Sequence, residues 1–447
     1  MNHKFSKTLL IILLTFGMKA VAQETEESPM DTLTRRVATI QSAVDVINRI
    51  KITGYIQTQF QWADSSGIAS VAGGNFSSGV DKRFQLRRGR VKVQYDSPLN
   101  DKGWSTSQYV FQIDVSEKGL TIKDLYAKFT DPWSGWFSMT AGMQNRPFGF
   151  EIGYSSGLRE SPERGRMSQT IFPNERDLGA MITIQGPKLS NWNWLKLEVG
   201  MFNGTGGPDQ AGSSSTAVSN TSDFDKYKDL IGHLSINRSN RSETIKYGLG
   251  VSFYDGGFRL DNDSVYSIGK DSLGASGFVL TDKQFKGKEL KRQYVGVDGQ
   301  VSIDWAAGIT TLRAEYIQGD QPGTSGSSGS PKAAVTSNGY KRKFNGAYFY
   351  FLQNIAQTPF QAIVKYDWYD PNTDVAGDEI GKAVVNGLKK LNGTDVKYST
   401  LGLGLAYRWD ANVKLTAYYD MVKNETSKNF SADLKDNVFT LRAQVKF

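Results

Sequence analysis

The sequence of 447 residues contains no cysteine and two histidines. The absence of cysteine excludes disulfides, thiolate metal sites, thiol nucleophiles and lipidated cysteine anchors. His3 lies in an apparent export signal, so His233 is the one histidine expected in the mature chain, which leaves little material for a histidine-based triad or metal site. We therefore predict that the protein is not an enzyme and uses no cofactor and no metal.

Long apolar runs are also missing beyond the first 22 residues, and the mean hydropathy is −0.42. A transmembrane helix would need about 20 consecutive apolar residues. A transmembrane β-barrel needs no such run, because its strands alternate between lipid-facing and lumen-facing residues. The 20 Tyr, 24 Phe and 9 Trp suit interfacial aromatic girdles, and the 46 Gly suit turns and twisted strands.

The N-terminus has the pattern of a secretory signal peptide. Lys4 and Lys7 precede an apolar run over residues 8–16 and a small-residue site that ends at Ala22. We predict that residues 1–22 are removed, which leaves 50 basic and 45 acidic residues of the 53 and 45 in the full chain. The basic residues are spread along the chain, so we predict no nucleic-acid partner.

Residues 23–50 predict a periplasmic helical or coiled-coil segment. Apolar residues recur there at spacings of four and three, at Leu33, Val37, Ile40, Val44 and Ile47. Two interpretations stay open, an amphipathic helix that caps one barrel and a small periplasmic coiled coil in an oligomer.

Residues 51–447 follow a period of two and contain sixteen candidate strands, with connections that alternate between long and short. Six long connections span residues 64–82, 148–175, 204–227, 256–291, 321–339 and 371–395, with two shorter ones around Glu117 and Thr426. Tight turns at 131–134, 305–308 and 409–412 define the other end. This predicts an all-β fold, a sixteen-stranded antiparallel transmembrane β-barrel of the bacterial outer membrane with short periplasmic turns, long extracellular loops and a short N-terminal helix.

The last strand shows the two faces most clearly. Phe439, Leu441, Ala443, Val445 and Phe447 alternate with Thr440, Arg442, Gln444 and Lys446, so that one face suits lipid and the other water. The terminal aromatic Phe447 is the predicted assembly signal for the barrel-assembly machinery.

Several motifs occur in series, namely RFQLRRGRVKV at 83–93, IKDLYA at 122–127, AGMQNRPFG at 141–149, ERDLG at 175–179 and VGMFNG at 199–204. In this order they resemble the phosphate-selective porin O and P family of outer-membrane porins. The resemblance implies a homotrimer in outer-membrane lipid and lipopolysaccharide. It also implies that one long loop folds inward as a constriction, and that arginines and lysines line the route of an anion.

A basic ladder is predicted on the second strand. Arg88, Arg90 and Lys92 fall on one face, which must be the lumen, because an arginine on the lipid side near the midplane costs about 2–4 kcal/mol. Arg87 breaks the alternation, which predicts a position near the rim or beside a bulge.

The candidate constriction loop is 148–175, with Arg146 before it and Arg176 after it. Arg159, Arg164 and Arg166 lie within it. Guanidinium groups bind oxyanions in a bidentate way, so an unpaired ring of them would select anions. Four glutamates in the same stretch, Glu151, Glu160, Glu163 and Glu175, support the alternative that these arginines are paired and hold the loop against the wall.

We therefore expect a porin whose water-filled channel passes small anionic or polar solutes, with phosphate or polyphosphate as candidates. A general diffusion porin without anion specificity and a barrel-anchored surface receptor are the alternatives. A membrane-embedded hydrolase with its site on the outer wall would need His233 as its base.

Overall fold

The computed structural model describes residues 29–117, 119–205, 223–331, 333–385 and 387–447. The predicted signal peptide lies outside these residues. A helix, α1 (Pro29–Ile47), belongs to a unit separate from Lys51–Phe447, and none of its residues is buried. Its heptad positions from Leu33 to Ile47 are exposed within that unit. Among the described residues, no helix combines the length and apolar character needed to cross a bilayer.

The second unit is built from β-strands. The strands of the described residues are β1 (Ile50–Ala63), β2 (Lys82–Asp96), β3 (Ser107–Ser116), β4 (Gly119–Thr130), β5 (Phe137–Asn145), β6 (Arg176–Gln185), β7 (Leu195–Phe202), β8 (Asp229–Ser239), β9 (Ile245–Arg259), β10 (Val265–Lys270), β11 (Ser276–Asp282), β12 (Glu289–Trp305), β13 (Gly308–Asp320), β14 (Gly339–Tyr340), β15 (Lys343–Asn354), β16 (Phe360–Asp370), β17 (Tyr398–Arg408), β18 (Val413–Asn424) and β19 (Val438–Lys446). A short helix, α2 (Arg166–Ile171), lies between β5 and β6, and a 3-10 turn spans Gly393–Asp395.

Sixteen of these strands form one closed antiparallel barrel, which confirms the predicted fold class. The first and last strands close it, with Tyr55 opposite Lys446 and Ala63 opposite Val438. Closure removes the exposed strand edges, whose unpaired backbone groups lipid cannot hydrogen-bond. The long connections follow β1, β5, β7, β9, β13 and β16, as predicted, and the tight turns lie at the opposite end.

The outer surface of the barrel is apolar and the inner surface is polar. On β17, Leu401, Leu403 and Leu405 point outward and are exposed, and on β19 Thr440, Arg442 and Gln444 are buried inside. Tryptophans mark the rim with the tight turns, where exposed Trp133, Trp192, Trp305 and Trp409 lie. Aromatic rings at this level suit the membrane interface.

Two extracellular loops contain a small sheet that the sequence did not predict. β10 pairs with β11 in an antiparallel hairpin and with β14 in parallel. Tyr266, Phe278 and Tyr340 from this sheet pack with residues of the loop after β16 in an apolar cluster. The fully buried pair of Arg342 and Asp395, 2.8 Å apart, ties the same segments together. β14 has two residues and is ordered by its distant contact with β10, so local alternation does not indicate it.

Adjacent residues on β8 allow a test of the two faces. Leu234 points outward and Ser235 lines the lumen. We expect Leu234→Arg to lower the free energy of unfolding by about 2–4 kcal/mol, because the charge meets the hydrocarbon core. Ser235→Arg should cost far less, because its charge can reach water in the lumen. Urea unfolding in lipid vesicles measures both, and equal losses would contradict this assignment of faces.

Candidate functional site

The loop between β5 and β6, residues 146–175 and called here the inward loop, lies inside the barrel. Its backbone amides at Gly149 and Glu151 donate to Ser252 on β9 (2.9 Å) and Glu315 on β13 (3.0 Å). The carbonyl of Gly157 accepts a hydrogen bond of 2.8 Å from Gln444 on β19. The loop therefore contacts walls on several sides of the lumen.

An apolar cluster holds the two ends of the inward loop. Phe148 and Phe172 have ring centroids 5.2 Å apart, and both rings lie against Tyr254 and Tyr294 of the wall. Met167 and Ile171 of α2 belong to the same cluster. Burial of these side chains between loop and wall favours the inward position of the loop, since the alternative exposes them to water.

The middle of the loop is held by Glu163. Its carboxylate accepts hydrogen bonds from Arg87 (2.9 Å), Arg88 (2.7 Å) and Arg442 (2.7 Å). Burial by itself would raise the pKa of Glu163, but the charges of these guanidinium groups lower it well below its ordinary value. Glu163 is therefore ionised at neutral pH and links the loop to β2 and β19.

The predicted basic ladder on β2 has a mixed environment. Arg88 and Arg90 are buried in the lumen, where Arg88 pairs with Glu163 at 2.7 Å and Arg90 pairs with Asp114 at 2.9 Å. Lys92 is partly exposed and has no carboxylate within 4 Å among the residues that the structure describes.

The irregularity at Arg87 reflects a change in the alternation of β2. Phe84 and Leu86 are exposed on the outside, whereas Arg87 and Arg88 both reach Glu163 inside. The paired register with β3 begins only at Gly89. Two successive arginines can therefore enter the lumen at the point where the regular pairing starts.

The arginines predicted for the constriction fall into two groups. Arg164 lies 3.7 Å from Glu175, and Arg176 lies 3.0 Å from Asp124. The other three, Arg146, Arg159 and Arg166, have no ion pair among the described residues. Arg146 donates a hydrogen bond to the Asn174 carbonyl and lies over the ring of Phe172. Arg159 donates to the Tyr154 carbonyl at 3.3 Å. The guanidinium group of Arg166 lies 4.1 Å from the ring centre of Tyr398. Pairing against the wall therefore accounts for only part of the set.

A cavity of about 640 Å³ lies between the inward loop and the inner faces of β2 to β9 and β12. Its cationic lining residues are Arg90, Lys92, Lys128, Arg146, Arg176 and Lys196. Its carboxylates are Asp124, Glu198 and Asp298. We call this space the main cavity.

Two of the three carboxylates of the main cavity are paired with a cation, Asp124 with Arg176 at 3.0 Å and Glu198 with Lys196 at 2.9 Å. The third, Asp298, forms a hydrogen bond of 3.0 Å with His233. Three of the cations, Lys92, Lys128 and Arg146, have no carboxylate within 4 Å in the described part of the chain. The main cavity therefore carries positive charge that its own carboxylates do not neutralise.

The position of His233 also bears on the hydrolase alternative. Its ring lies inside the barrel, where Nε2 forms a hydrogen bond with Asp298 and the ring borders the main cavity. A site on the outer wall would therefore lack this base.

A second cavity of about 240 Å³ borders Gly73 and Gly74 of the first extracellular loop as well as the inward loop. Arg90 lines both cavities. Lys123, which lines the smaller one, is the extra residue where the register of β3 and β4 shifts. Such a bulge brings both Lys123 and the adjacent Asp124 to the lumen.

Several residues that line the lumen were not predicted from the sequence. Lys128 and Lys196 could have been found from alternation, because Lys128 lies between outward Ala127 and Phe129 and Lys196 between Leu195 and Leu197. Glu163 and Arg442 gave no local sign of their contact, since they are 279 residues apart.

Comparison with solved structures shows the same architecture in bacterial outer-membrane proteins. The outer membrane channel DcaP of Acinetobacter baumannii aligns with a TM-score of 0.52 at 14% identity, over 89% of this chain and 97% of that one. OprB of Pseudomonas putida gives 0.55 at 9% identity over 91% and 96%. An anion-selective porin from Comamonas acidovorans gives 0.51 at 9% identity over 89% and 99%. The sequence matches no protein-family profile, and a search of curated proteins gave no significant match.

These similarities, together with the closed sixteen-stranded barrel and its apolar outer surface, define the protein as a barrel of the bacterial outer membrane. Its fold is that of the porins. At these identities the comparison establishes the fold.

Glu163→Gln tests how the inward loop is held. The amide cannot neutralise three guanidinium groups, and removal of one partner from a buried ionic cluster is strongly destabilising. We expect trypsin to cleave after Arg159 and Arg164 at least tenfold faster than in the wild type, as measured by mass spectrometry of the folded protein. Glu117→Gln is the control, because Glu117 lines the same small cavity but contacts Gln85 and has no ion pair within the described residues. Unchanged protection in Glu163→Gln would mean that the apolar cluster alone holds the loop.

Proposed function

We propose that this protein is a porin whose channel prefers anions. The observation that carries the proposal is the charge distribution in the main cavity. Among the described residues, three of its cations, Lys92, Lys128 and Arg146, have no carboxylate partner, whereas Asp298 is the one lining carboxylate not paired with a lysine or arginine. Unpaired charges that line a pore favour ions of the opposite sign, whereas paired charges contribute little net field.

The mixture of side chains favours a range of anions. Lysine presents a compact point charge, whereas arginine presents a planar fork that matches carboxylate and phosphate oxygens. Two of the three unpaired cations are lysines, so the lining supports attraction by charge more than recognition of one geometry. Phosphate and polyphosphate, suggested by the family resemblance, are solutes to be tested within this class.

Neutralisation of the unpaired cations tests the proposal. We expect wild-type channels in a planar lipid bilayer under a KCl gradient to have a chloride-to-potassium permeability ratio above one. The triple substitution of Lys92, Lys128 and Arg146 to Gln should bring the ratio down to one or below, because the remaining cations of the cavity are paired. Reversal potentials measure both values.

A matched control neutralises three exposed loop lysines, Lys283, Lys286 and Lys390, which lie outside both cavities. This control variant should keep the chloride-to-potassium permeability ratio of the wild type. A wild-type ratio near one would support the general diffusion porin, and absence of conductance would support the surface receptor. Block of the chloride current by phosphate, with relief by Arg146→Gln, would identify phosphate as a solute.

Assembly is a second part of the proposal. We propose that copies of α1 associate through Leu33, Val37, Ile40, Val44 and Ile47 as a periplasmic coiled coil in a homotrimer, because these apolar side chains are exposed and follow a heptad. We also propose that Phe447 is recognised by the barrel-assembly machinery. Its backbone exchanges two hydrogen bonds of 3.0 Å with Gly54, next to the strand pair that closes the barrel.

The absence of cysteine makes a disulfide test of the coiled coil simple. We expect Ile40→Cys to form dimers through an intermolecular disulfide under mild oxidation, because equivalent core positions face each other in a parallel coiled coil. The measurement is non-reducing electrophoresis. Ala38→Cys, outside the heptad positions, should react far less, and equal reaction at both positions would contradict the proposed packing.

A further inference from the structure

We infer that the anion favoured by the main cavity is an organic anion with a flat apolar body, such as an aromatic carboxylate. This inference rests on the proposed anion preference and adds a second requirement to it, an apolar surface beside the charge. The main cavity supplies that surface from the inward loop.

Three aromatic residues of the inward loop, Phe148, Phe150 and Tyr154, line the main cavity, and the last two lie side by side. Phe150 and Tyr154 have ring centroids 4.9 Å apart. The amide of Phe150 donates to Glu315 on β13 at 3.2 Å, and the hydroxyl of Tyr154 donates to Glu160 at 3.2 Å. Arg313 of β13 lies 4.5 Å and 4.7 Å from the two ring centres. These contacts fix the rings on the side of the cavity that faces β13.

The unpaired lysines of the cavity lie on the other side. Lys92 is on β2 and Lys128 is on β4, and each of these strands is seven positions from β13 by the shorter way around the ring of sixteen. Eight positions would be diametrically opposite. The cavity therefore has the two unpaired lysines on one wall and the rings of Phe150 and Tyr154 on a nearly opposite side. Tyr126 of β4 adds an aromatic ring beside the lysines, and Arg146 of the inward loop adds a third unpaired cation.

This arrangement discriminates between anions of the same charge. A small hydrated anion such as chloride or acetate gains from the lysines but buries little apolar surface on the rings. An aromatic carboxylate can direct its charge to the lysines while its ring packs on Phe150 and Tyr154, and offset or edge-to-face packing of rings is favourable. A cavity of about 640 Å³ is large enough for such a solute.

The test compares benzoate, acetate and inorganic phosphate as blockers of the chloride current through the full-length protein in a planar bilayer. We expect benzoate to block at a concentration at least tenfold lower than acetate, which carries the same charge without the ring. Phe150→Ser should reduce the ratio of the acetate to the benzoate blocking concentration several-fold. Phe150→Leu should reduce this ratio less, because leucine keeps an apolar surface. Tyr154→Leu tests independently how much the second ring contributes to block by benzoate.

Phe84→Ser is the control, because Phe84 lies on the outer surface and the residue is 85% exposed. This variant should leave the ratio of the acetate to the benzoate blocking concentration unchanged. Equal block by benzoate and acetate in a chloride-selective wild type would overturn the inference and leave the proposed function standing. Tighter block by phosphate than by benzoate would also overturn it. A wild-type channel without chloride selectivity would overturn both this inference and the proposed function.

Discussion

The carboxylate of Glu163 is the contact on which the shape of the lumen depends. It binds three guanidinium groups from β2 and β19, while an apolar cluster around Phe148 and Phe172 holds the ends of the same loop. These contacts hold the inward loop inside the barrel and leave the main cavity between the loop and the inner faces of β2 to β9 and β12. The loop supplies Arg146 and the rings of Phe150 and Tyr154 to that cavity, whereas Lys92 and Lys128 come from the strands.

Local irregularities in two strands concentrate charge where the two cavities meet. Arg87 and Arg88 enter the lumen together because the alternation of β2 changes there, and Lys123 and Asp124 do so at a bulge of β4. A regular strand delivers one side chain in two to the lumen, so these departures increase the density of charge around Arg90, which borders both cavities. Most of that added charge is paired, and its main effect is to fix the loop and the wall.

The barrel could be predicted from the sequence because strand alternation and loop length are local properties. Thr440, Arg442 and Gln444 showed their inward face in the sequence, as Leu401 and Leu403 showed their outward face. The pairing of charges could not be predicted in this way. Glu163 and Arg442 meet across 279 residues, and Arg313 meets Glu160 across 153, because closure of the barrel and folding of the loop bring them together. The same reason explains why β14 was missed, since its two residues are ordered by contact with β10.

The aromatic wall of the main cavity contributes little charge of its own, although an arginine supports it. Arg313, which packs on Phe150 and Tyr154, is neutralised by Glu160 of the inward loop at 3.0 Å. The wall that carries Lys92 and Lys128 has no such compensation. Lys92 and Lys128 thus place uncompensated charge on one wall, while the third unpaired cation, Arg146, belongs to the inward loop. An anion drawn to the two lysines leaves Phe150 and Tyr154 free to contact the rest of the solute. Attraction by charge and contact with an apolar surface can therefore act on one molecule at the same time.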